Sequence, residues 1–348
     1  MAEAPELAAS VPWRPLAHTP TPVEPATAAE PYLGRGGVWI KRDDLASPLY
    51  GGNKVRRFEH LLADAERRGA RELITVGGLA STQVIATALF GREVGLDVTA
   101  VLFDQPITSF ARRALLTSAS AGARLLYGGG YVRTVWTTLR ALARSPRPYF
   151  IGPGASSPMA NLGYVDAMLE LSEQVRRNVL PRPDIIVTPS GSGGTLAGLA
   201  VGVSLLGWPT HLIGVRITER IACNRVTLGY RIEATARYLA RHAPRFTRRS
   251  LTQARFSLHH GAIGRGYGHS TPEAIEAIRP VELLTGAPGE ITYSGKALAG
   301  LRAIGREHPT KTILYWHTLS SVGPDVSAVS PSLVGPAFAR FFEGDLPL

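Results

Sequence analysis

A regular alternation of short apolar runs with helical patterns is the feature that most constrains the fold of this chain. The runs begin at Val38 and read "GVWIKRDD", "ELITVGG", "DVTAVLF", "ARLLYGG", "RPYFIGPG", "DIIVTPS" and "HLIGVRI". Between them lie segments with helical periodicity, such as "STQVIATALFGREVGL" and "YVRTVWTTLRALARS". Buried parallel strands joined by crossover helices produce this alternation. We therefore predict an α/β protein with parallel sheets, preceded by an extended, Pro- and Ala-rich arm over residues 1–37.

The length and composition permit two domains and a sizeable core. The 348 residues are 45% hydrophobic and 19% charged, so extensive disorder is not expected. The single cysteine, Cys223, excludes an intramolecular disulfide and a cysteine-based zinc site, and no metal is predicted. No apolar run approaches the length of a membrane span, and no N-terminal signal pattern is recognised. The expectation is a cytoplasmic enzyme without a membrane partner.

The formal net charge of +11 raises the question of a nucleic-acid partner. The densest basic cluster has the spacing of an exposed helix face followed by a loop, with few aromatic residues on which bases could stack. We therefore predict no nucleic-acid partner. The cluster comprises Arg237, Arg241, Arg245, Arg248, Arg249 and Arg255.

Lysine is scarce among the basic residues, and one lysine has an unusual setting. Lys54 follows the turn Gly51-Gly52-Asn53 and opens a helical pattern, so it is either a solvated charge or a reactive amine on a flexible turn. A lysine that forms an imine with an aldehyde cofactor needs access, a restricted pose and a lowered pKa. The other three have ordinary settings: Lys41 precedes two potential ion-pair partners, Asp43 and Asp44, Lys296 lies in a helical pattern, and Lys311 lies in a turn.

Two further segments place the end of a strand before the start of a helix. In "IIVTPSGSGGTLAGLAVG", the stretch Ser190–Thr195 can direct N–H groups at a phosphate, or it is a tight turn without a ligand. It lacks the GxxxxGK[ST] pattern of a nucleotide P-loop. In "TVGGLASTQVIATA", the helix start at Ser81–Gln83 can hold a carboxylate, or Ser81 is an ordinary N-cap. Together with Lys54, these segments suggest a site for a cofactor and an amino acid.

The order of several motifs carries a resemblance to a known family. "WIKRDDL…GGNKVRRFE", "ITVGG…S", "GSGGTLAGL", "GYG", "TYSGKALAG" and "LYWHT" are similar to motifs of the 1-aminocyclopropane-1-carboxylate (ACC) deaminase and D-cysteine desulfhydrase family. The resemblance runs from about "RPLAHTPTP" to "LYWHT" and implies a pyridoxal-phosphate (PLP) enzyme of fold type II. It implies two open parallel-sheet domains, the smaller inserted into the larger. We predict a large domain over 1–50 and 160–348, a small domain over 51–159, and a homodimer.

The resemblance also implies which residues hold the cofactor. Lys54 matches the lysine that binds PLP covalently, Asn53 precedes it as in the family, and Arg57 stands where the family has a basic residue near the phosphate. Thr82 replaces an asparagine that contacts the phenolic oxygen of PLP. The phosphate loop is matched by Gly191, Ser192, Gly193, Gly194 and Thr195.

Other matched positions bear on the substrate and the reaction. Ser81 matches the active-site serine, and the substrate carboxylate is expected at Ser81, Thr82 and Gln83. Tyr267 in "GRGYG" and Tyr293 in "ITYSGK" match two tyrosines that line the substrate site, although each alone would be interpreted as core or surface.

Two of the matched positions favour a desulfhydrase, and one favours an ACC deaminase. Ser294 stands where ACC deaminases have a glutamate and desulfhydrases a threonine, so it is expected to bond an unprotonated pyridine nitrogen. Thr318 also follows the desulfhydrase pattern, whereas Gln83 follows the deaminase pattern. Ala80 and Leu319-Ser320 replace a glutamine and a glycine pair of the family, which bears on substrate identity.

The predicted reaction is an α,β-elimination of the D-cysteine desulfhydrase type on a small amino acid, giving an α-keto acid and ammonia. Lys54 is expected to remove the α-proton, and a tyrosine or Ser81 assists the leaving group. Ring opening of ACC and β-replacement are the alternatives within the fold. A catalytically silent protein that binds a ligand is the alternative from another class.

Overall fold

The computed structural model describes residues 10–344 and Leu346, and the chain divides into two compact units. The large unit comprises the described part of Met1–His60 together with Ser156–Val322. The small unit comprises Leu61–Ala155 together with the described part of Gly323–Leu348. Most of the small unit is thus inserted into the sequence of the large one, which confirms the predicted arrangement.

Strands and helices alternate along most of the described chain. The strands are β1 (Val23–Pro25), β2 (Val38–Arg42), β3 (Glu72–Gly78), β4 (Asp97–Phe103), β5 (Arg124–Gly129), β6 (Pro148–Ile151), β7 (Ile185–Ser190), β8 (His211–Arg216), β9 (Phe256–His259) and β10 (Ile313–His317). The helices are α1 (Glu30–Leu33), α2 (Val55–Arg67), α3 (Thr82–Glu93), α4 (Ser109–Ser120), α5 (Tyr131–Arg144), α6 (Leu162–Arg176), α7 (Gly194–Leu206), α8 (Arg225–His242), α9 (Pro272–Glu276), α10 (Ile278–Thr285) and α11 (Ser294–Glu307).

The large unit is built on a six-stranded sheet in the order β1-β2-β10-β7-β8-β9. The four pairs β2–β10, β10–β7, β7–β8 and β8–β9 are parallel, whereas β1 pairs with β2 antiparallel. The prediction of a parallel sheet is therefore correct except at this edge. Every residue of β7 and of β10 is buried, as expected for central strands that are covered on both faces. Pro25 ends β1, and an edge strand tolerates a proline because one side of it needs no N–H donor.

Glycines allow the helices of the large unit to pack closely. A Cβ on Gly198 of α7 would lie 2.3 Å from Asn161 O and 2.5 Å from Tyr164 Cβ. One turn further along, a Cβ on Gly202 would lie 2.5 Å from Met168 Cβ. The small-residue pattern of α7 therefore serves its contact with α6. On the sheet itself, apolar residues of α10 and α11 form one buried cluster with those of β2, β7, β8 and β10.

The small unit has a four-stranded parallel sheet in the order β5-β4-β3-β6. Its apolar cluster combines Leu102 of β4 and Leu115 of α4 with Val334 and Phe338 from the C-terminal segment. Arg112 of α4 also donates from Nε to the carbonyl of Phe341 over 2.8 Å. Residues of the C-terminal segment are therefore part of this unit.

The units differ from the domain boundaries predicted from the sequence. The prediction ended the small domain at 159 and assigned the C-terminus to the large one, whereas Phe338 packs in the small unit. At the other boundary, residues 51–60 belong to the large unit, where Arg56 pairs with Asp43 over 2.9 Å and with Glu170 over 3.0 Å. Glu170 lies 114 residues from Arg56 in the sequence, so local patterns did not indicate this contact.

The predicted extended arm is partly regular structure. Residues 1–9 lie outside the described residues, and the remainder contains β1 and α1. Among the helices of the described residues, none has the length and apolarity needed to cross a membrane. Within the same residues, no group of His, Cys, Asp and Glu is arranged to hold a metal ion.

Candidate active site

The turn before Lys54 is fixed by close backbone packing. A Cβ on Gly51 would lie 1.8 Å from Asp44 O, and one on Gly52, whose φ is +84°, would lie 2.5 Å from Thr318 O. Asn53 N donates to the same Thr318 carbonyl over 3.0 Å, and Gly51 N donates to Ser320 Oγ over 2.6 Å. The expectation of a flexible turn is therefore wrong, because the glycines serve a close approach. Ser320, which departs from the family pattern, holds this turn.

Lys54 ends the turn immediately before α2, and its amine is buried. Nζ donates to Asn53 Oδ1 over 2.7 Å. Burial, with the nearby Arg57 guanidinium, lowers the pKa of the Lys54 amine well below its ordinary value. A larger fraction of this amine is therefore unprotonated near neutral pH than in an exposed lysine, which suits a nucleophile or a general base.

The residues around Lys54 connect it to the glycine-rich loop. Asn53 Nδ2 donates to Thr195 Oγ1 over 2.9 Å, and Arg57 Nη2 donates to the same oxygen over 2.6 Å. Ser192 Oγ is hydrogen-bonded to Ser156 Oγ over 2.6 Å, and Arg57 Nη1 lies 3.4 Å from that Ser156 hydroxyl. With Lys54 itself, the structure thus brings together five positions singled out in the sequence. Ser156 was missed, because nothing local distinguishes it from other loop serines.

The loop ends at a helix N-terminus without a side-chain cap. Gly193 is the N-cap of α7, with a left-handed φ of +79°, and contributes no capping hydrogen bond. By contrast, Ser81, Thr108 and Asn224 accept hydrogen bonds at the starts of α3, α4 and α8. The first N–H groups of a helix have no partner within it and favour an anion. This N-terminus is therefore available to an anionic group.

The two predicted tyrosines meet in the large unit. Their hydroxyls are hydrogen-bonded to each other, and the rings of Tyr267 and Tyr293 are edge-on with centroids 6.0 Å apart. Burial, and then the neighbouring Tyr293, raise the pKa of Tyr267 well above its ordinary value. Tyr267 is therefore neutral at neutral pH and holds its proton more tightly than an ordinary tyrosine, so its hydroxyl is a hydrogen-bond donor.

Ser294 is buried beside a carboxylate that the sequence analysis missed. Glu290 accepts hydrogen bonds of 2.6 Å from each of the backbone N–H groups of Thr292, Tyr293 and Ser294, and so caps α11. Ser294 Oγ donates to Glu290 O over 3.0 Å and lies 3.3 Å from Glu290 Oε1. Burial raises the pKa of Glu290 while its N–H donors oppose this shift. A glutamate shortly before a helix start is the local signal that could have identified it.

The remaining predicted residues, Ser81, Thr82 and Gln83, begin α3 in the small unit. Ser81 is its N-cap, and Oγ accepts from Val84 N over 3.4 Å, so the capping interpretation is correct. The side chain of Gln83 donates to Thr75 Oγ1 and to the Ile151 carbonyl. Its oxygen accepts from the N–H of residue 155 over 3.1 Å. The Gln83 side chain therefore holds the interior of the small unit together.

Lys41 has different partners from those expected. Its amine is fully buried and forms an ion pair with Glu170 and a hydrogen bond of 2.8 Å with Gln174, both on α6. Asp43 pairs with Arg56 instead, and Asp44 pairs with Arg42. The prediction from sequence neighbours is wrong, because β2 directs Lys41 at α6.

Comparisons with known proteins give the same assignment as the geometry. The family model described as "Pyridoxal-phosphate dependent enzyme" matches residues 15–318. D-cysteine desulfhydrases of Salmonella paratyphi B and Salmonella newport are 34% identical over 301 residues, covering 82% of this chain and 86% of theirs. The crystal structure of an ACC deaminase homologue matches with a TM-score of 0.75 at 29% identity, covering 90% of this chain and 93% of that one.

A more distant structure agrees in fold alone. A fungal L-serine ammonia-lyase from Rhizomucor miehei matches with a TM-score of 0.59 at 16% identity, covering 90% of this chain and 96% of that one. The chain is therefore a PLP-dependent enzyme of fold type II, and it belongs to the family of the D-cysteine desulfhydrases and ACC deaminases. The family, fold and cofactor inferred from the motifs are thereby confirmed.

The residues of the large unit fit the phosphate group of PLP. An uncapped helix N-terminus, the hydroxyls of Ser192 and Thr195 and the guanidinium of Arg57 form a set of donors suited to an anion. Burial lowers the pKa of Arg57 to about 10, so its charge is poorly solvated and an anion beside it would stabilise it. A Cβ on Gly194 would lie 2.4 Å from Ser156 Oγ, so the loop has no room for a side chain there.

Proposed function

We propose that this chain catalyses α,β-elimination from a small D-amino acid such as D-cysteine, releasing an α-keto acid and ammonia. The buried Lys54 amine, with its lowered pKa and its connection to the anion-binding loop, carries the proposal. The D-cysteine desulfhydrase relatives support the substrate class. PLP, when bound, supplies the electron-withdrawing ring that stabilises negative charge on the α-carbon of the substrate.

Lys54 has two roles in this proposal: it attaches the cofactor, and it accepts the proton from the α-carbon. Its amine is held by Asn53 Oδ1, so its position is restricted. Its lowered pKa makes the unprotonated form accessible near neutral pH. General-base assistance of this kind is worth roughly a hundred- to ten-thousandfold in rate.

The start of α3 is proposed to bind the substrate carboxylate. The Gln83 side chain is committed to Thr75, Ile151 and residue 155, so its backbone N–H is the candidate donor. The hydroxyl of Ser81 acts as an acceptor in the cap, which leaves its proton for the carboxylate. Thr82 lies between them and completes the helix start.

The tyrosine pair is proposed to assist the departing β-substituent by hydrogen bonding. Burial and Tyr293 raise the pKa of Tyr267, so its hydroxyl stays protonated and acts as a hydrogen-bond donor. The hydrogen bond between the two hydroxyls allows Tyr293 to orient the donor. Ser294 and Thr318 are proposed to lie at the cofactor, where a serine hydroxyl rather than a carboxylate favours elimination. The hydroxyl of Ser294 donates to Glu290 O in this structure, so it would have to turn away from that carbonyl to bond the pyridine nitrogen.

A parallel assay tests the function. The purified holoenzyme is incubated with D-cysteine, β-chloro-D-alanine, L-cysteine and ACC, and keto-acid and ammonia release are measured. The expected result is turnover of the two D-amino acids and little turnover of ACC. Turnover of L-cysteine alone would reverse the proposed stereochemistry, and turnover of none would reject the substrate class.

ACC ring opening is the second candidate, and one contact favours it. The Glu290 carboxylate lies 3.3 Å from Ser294 Oγ, so a buried carboxylate is adjacent to the position where ACC deaminases have a glutamate. The similarity to the ACC deaminase homologue also supports this alternative. Turnover of ACC without turnover of D-amino acids would establish it in place of the elimination.

We also propose that the protein is a homodimer. Support comes from α5, where Val132, Val135, Trp136 and Leu139 are exposed at the spacing of one helix face. An exposed apolar face of this kind is commonly covered by another protein surface. Light scattering during gel filtration should give twice the mass of the chain, and a monomer mass would exclude the dimer. The cytoplasmic location stays a prediction.

A further inference from the structure

Lys296 is a fully buried lysine to which the proposed chemistry gives no role. It lies on the first turn of α11, three residues after Tyr293. Its amine donates to the carbonyl of Ile263 over 2.7 Å and to the carbonyl of Gly266 over 2.8 Å. Both acceptors belong to the loop 263–266, which leads directly into Tyr267. The buried amine therefore joins the helix that follows one tyrosine to the loop that carries the other.

The loop has little conformational preference of its own. Gly264 and Gly266 have φ values of +61° and +142°, in the region that favours glycine. Besides the bond from Lys296, Gly266 O accepts a long backbone hydrogen bond of 3.4 Å from His269 N. At Tyr267, the backbone N–H donates to Glu219 Oε1 over 3.0 Å. Side chains from outside the loop, Lys296 and Glu219, thus supply its short hydrogen bonds.

The burial of Lys296 does not stabilise the folded protein through interactions with nearby charges. Burial lowers its pKa to about 8, and Glu290 and Glu219 only partly oppose this shift. Between that value and the ordinary 10.5, the unfolded chain binds the proton that the folded chain has lost, so stability rises with pH. Near neutral pH, burying the protonated amine therefore opposes folding. The nearby charged groups on the loop and on α9 are exposed: Arg265, Glu273 and Glu276.

We propose that Lys296 is a positioning residue, which fixes the loop 263–266 to α11 and thereby holds the hydroxyl of Tyr267 against that of Tyr293. The inference rests on the proposed function in so far as the two tyrosines act on the substrate. The claim that Lys296 holds the loop rests on its two hydrogen bonds to carbonyl groups and does not require the proposed function. Lys296→Met removes both donors while keeping a long apolar side chain in the buried site.

The first measurement is hydrogen exchange of holoenzyme, followed by mass spectrometry. In Lys296→Met, amides of residues 263–268 should exchange at least tenfold faster, while amides of β7 and β10 keep their wild-type rates. Lys311→Met is the matched control, because Lys311 is exposed and pairs with Asp184 at the surface. Unchanged exchange in the loop of Lys296→Met would overturn the inference, and so would a general loss of protection throughout the large unit.

The second measurement is a double-mutant cycle with Tyr267→Phe. Lys296→Met should lower kcat at least tenfold in the wild-type background and have little further effect when Tyr267 is already replaced. Equal effects in both backgrounds would show that Lys296 does not act through Tyr267, and would overturn the inference. The cycle is read in this way only where Tyr267→Phe itself lowers kcat. If Tyr267→Phe leaves kcat unchanged, the assignment of Tyr267 in the proposed function fails, and hydrogen exchange of the loop alone decides whether Lys296 positions it.

Discussion

At the scale of single residues, the environment of Lys54 distinguishes it from the other lysines. Lys41 forms an ion pair with Glu170, Lys296 is bonded to two carbonyls, and Lys311 pairs with Asp184. The amine of Lys54 has the side-chain oxygen of Asn53 as its neutral hydrogen-bond acceptor. Among the described lysines, Lys54 alone combines a lowered pKa with a hydrogen-bonded connection, through Asn53, to the glycine-rich loop.

Replacing Lys54 by alanine should remove covalent attachment of the cofactor and all activity, while the fold is kept. The side chain makes one hydrogen bond with a neighbouring residue and its burial opposes the charged form, so little stability depends on it. Borohydride reduction followed by peptide mapping should label Lys54 in the wild type and no lysine in the variant. Label on Lys41, Lys296 or Lys311 of the wild-type protein would refute the assignment.

Thr195→Val should weaken the retention of PLP about tenfold, which corresponds to roughly 1.4 kcal/mol. The change leaves the donors of Asn53 and Arg57 without their shared acceptor and removes a hydroxyl from the anion-binding loop. Titration of the apo-protein with PLP, followed by absorbance, gives the dissociation constant. Thr195→Ser is the matched control, since it keeps the hydroxyl. Equal PLP affinities of the Thr195→Val and Thr195→Ser variants would count against this loop as the phosphate-binding site.

At the scale of elements, the start of α11 combines a structural cap with residues of the candidate site. Glu290 accepts from three successive N–H groups, including that of Tyr293. Ser294 is bonded to the carbonyl of Glu290, and Lys296 reaches across to the loop before Tyr267. The position of both tyrosines therefore depends on how this helix begins.

Glu290→Ala should destabilise the protein by about 1–3 kcal/mol, because it leaves buried N–H donors at the start of α11 without acceptors. Urea unfolding measures the loss. Glu290→Gln retains one acceptor oxygen in nearly the same shape and should recover part of the stability. If Glu290→Ala is as stable as the wild type, the cap contributes nothing to the free energy of unfolding and the carboxylate serves another purpose.

At the scale of the whole molecule, each unit has its own sheet and its own apolar cluster. The C-terminal segment contributes to the small unit through Phe338, which is fully buried against residues of β4 and α4. Tyr127 of β5 packs edge-on against the same ring, with centroids 5.8 Å apart. This segment therefore closes the small unit rather than extending the large one.

Phe338→Ala should destabilise the small unit by about 3–5 kcal/mol, since it removes a buried aromatic ring and leaves a cavity. Hydrogen exchange should accelerate in β4, β5 and α4, with less change in β7 and β10 of the large unit. Leu333→Ala is the control, because Leu333 is 54% exposed and its loss should matter little. Exchange that is unchanged in β4 and β5 would contradict the assignment of this segment.

The sequence by itself determined the α/β class, the insertion of one unit into the other, and the three helix starts that carry the candidate site. The α/β class and the helix starts depend on short-range properties: the period of apolar residues, the place of glycines and the residues next to a helix start. The insertion was implied by the resemblance to the family and not by any of these local patterns. The tertiary structure alone decided which groups the buried charges meet. Glu170 lies 129 residues from Lys41, and Gly266 lies 30 residues from Lys296. It also decided that Phe338 belongs to the small unit. A buried charge or ring is stabilised by contacts with the segments that pack beside it. No local pattern in the sequence specifies which segments these are.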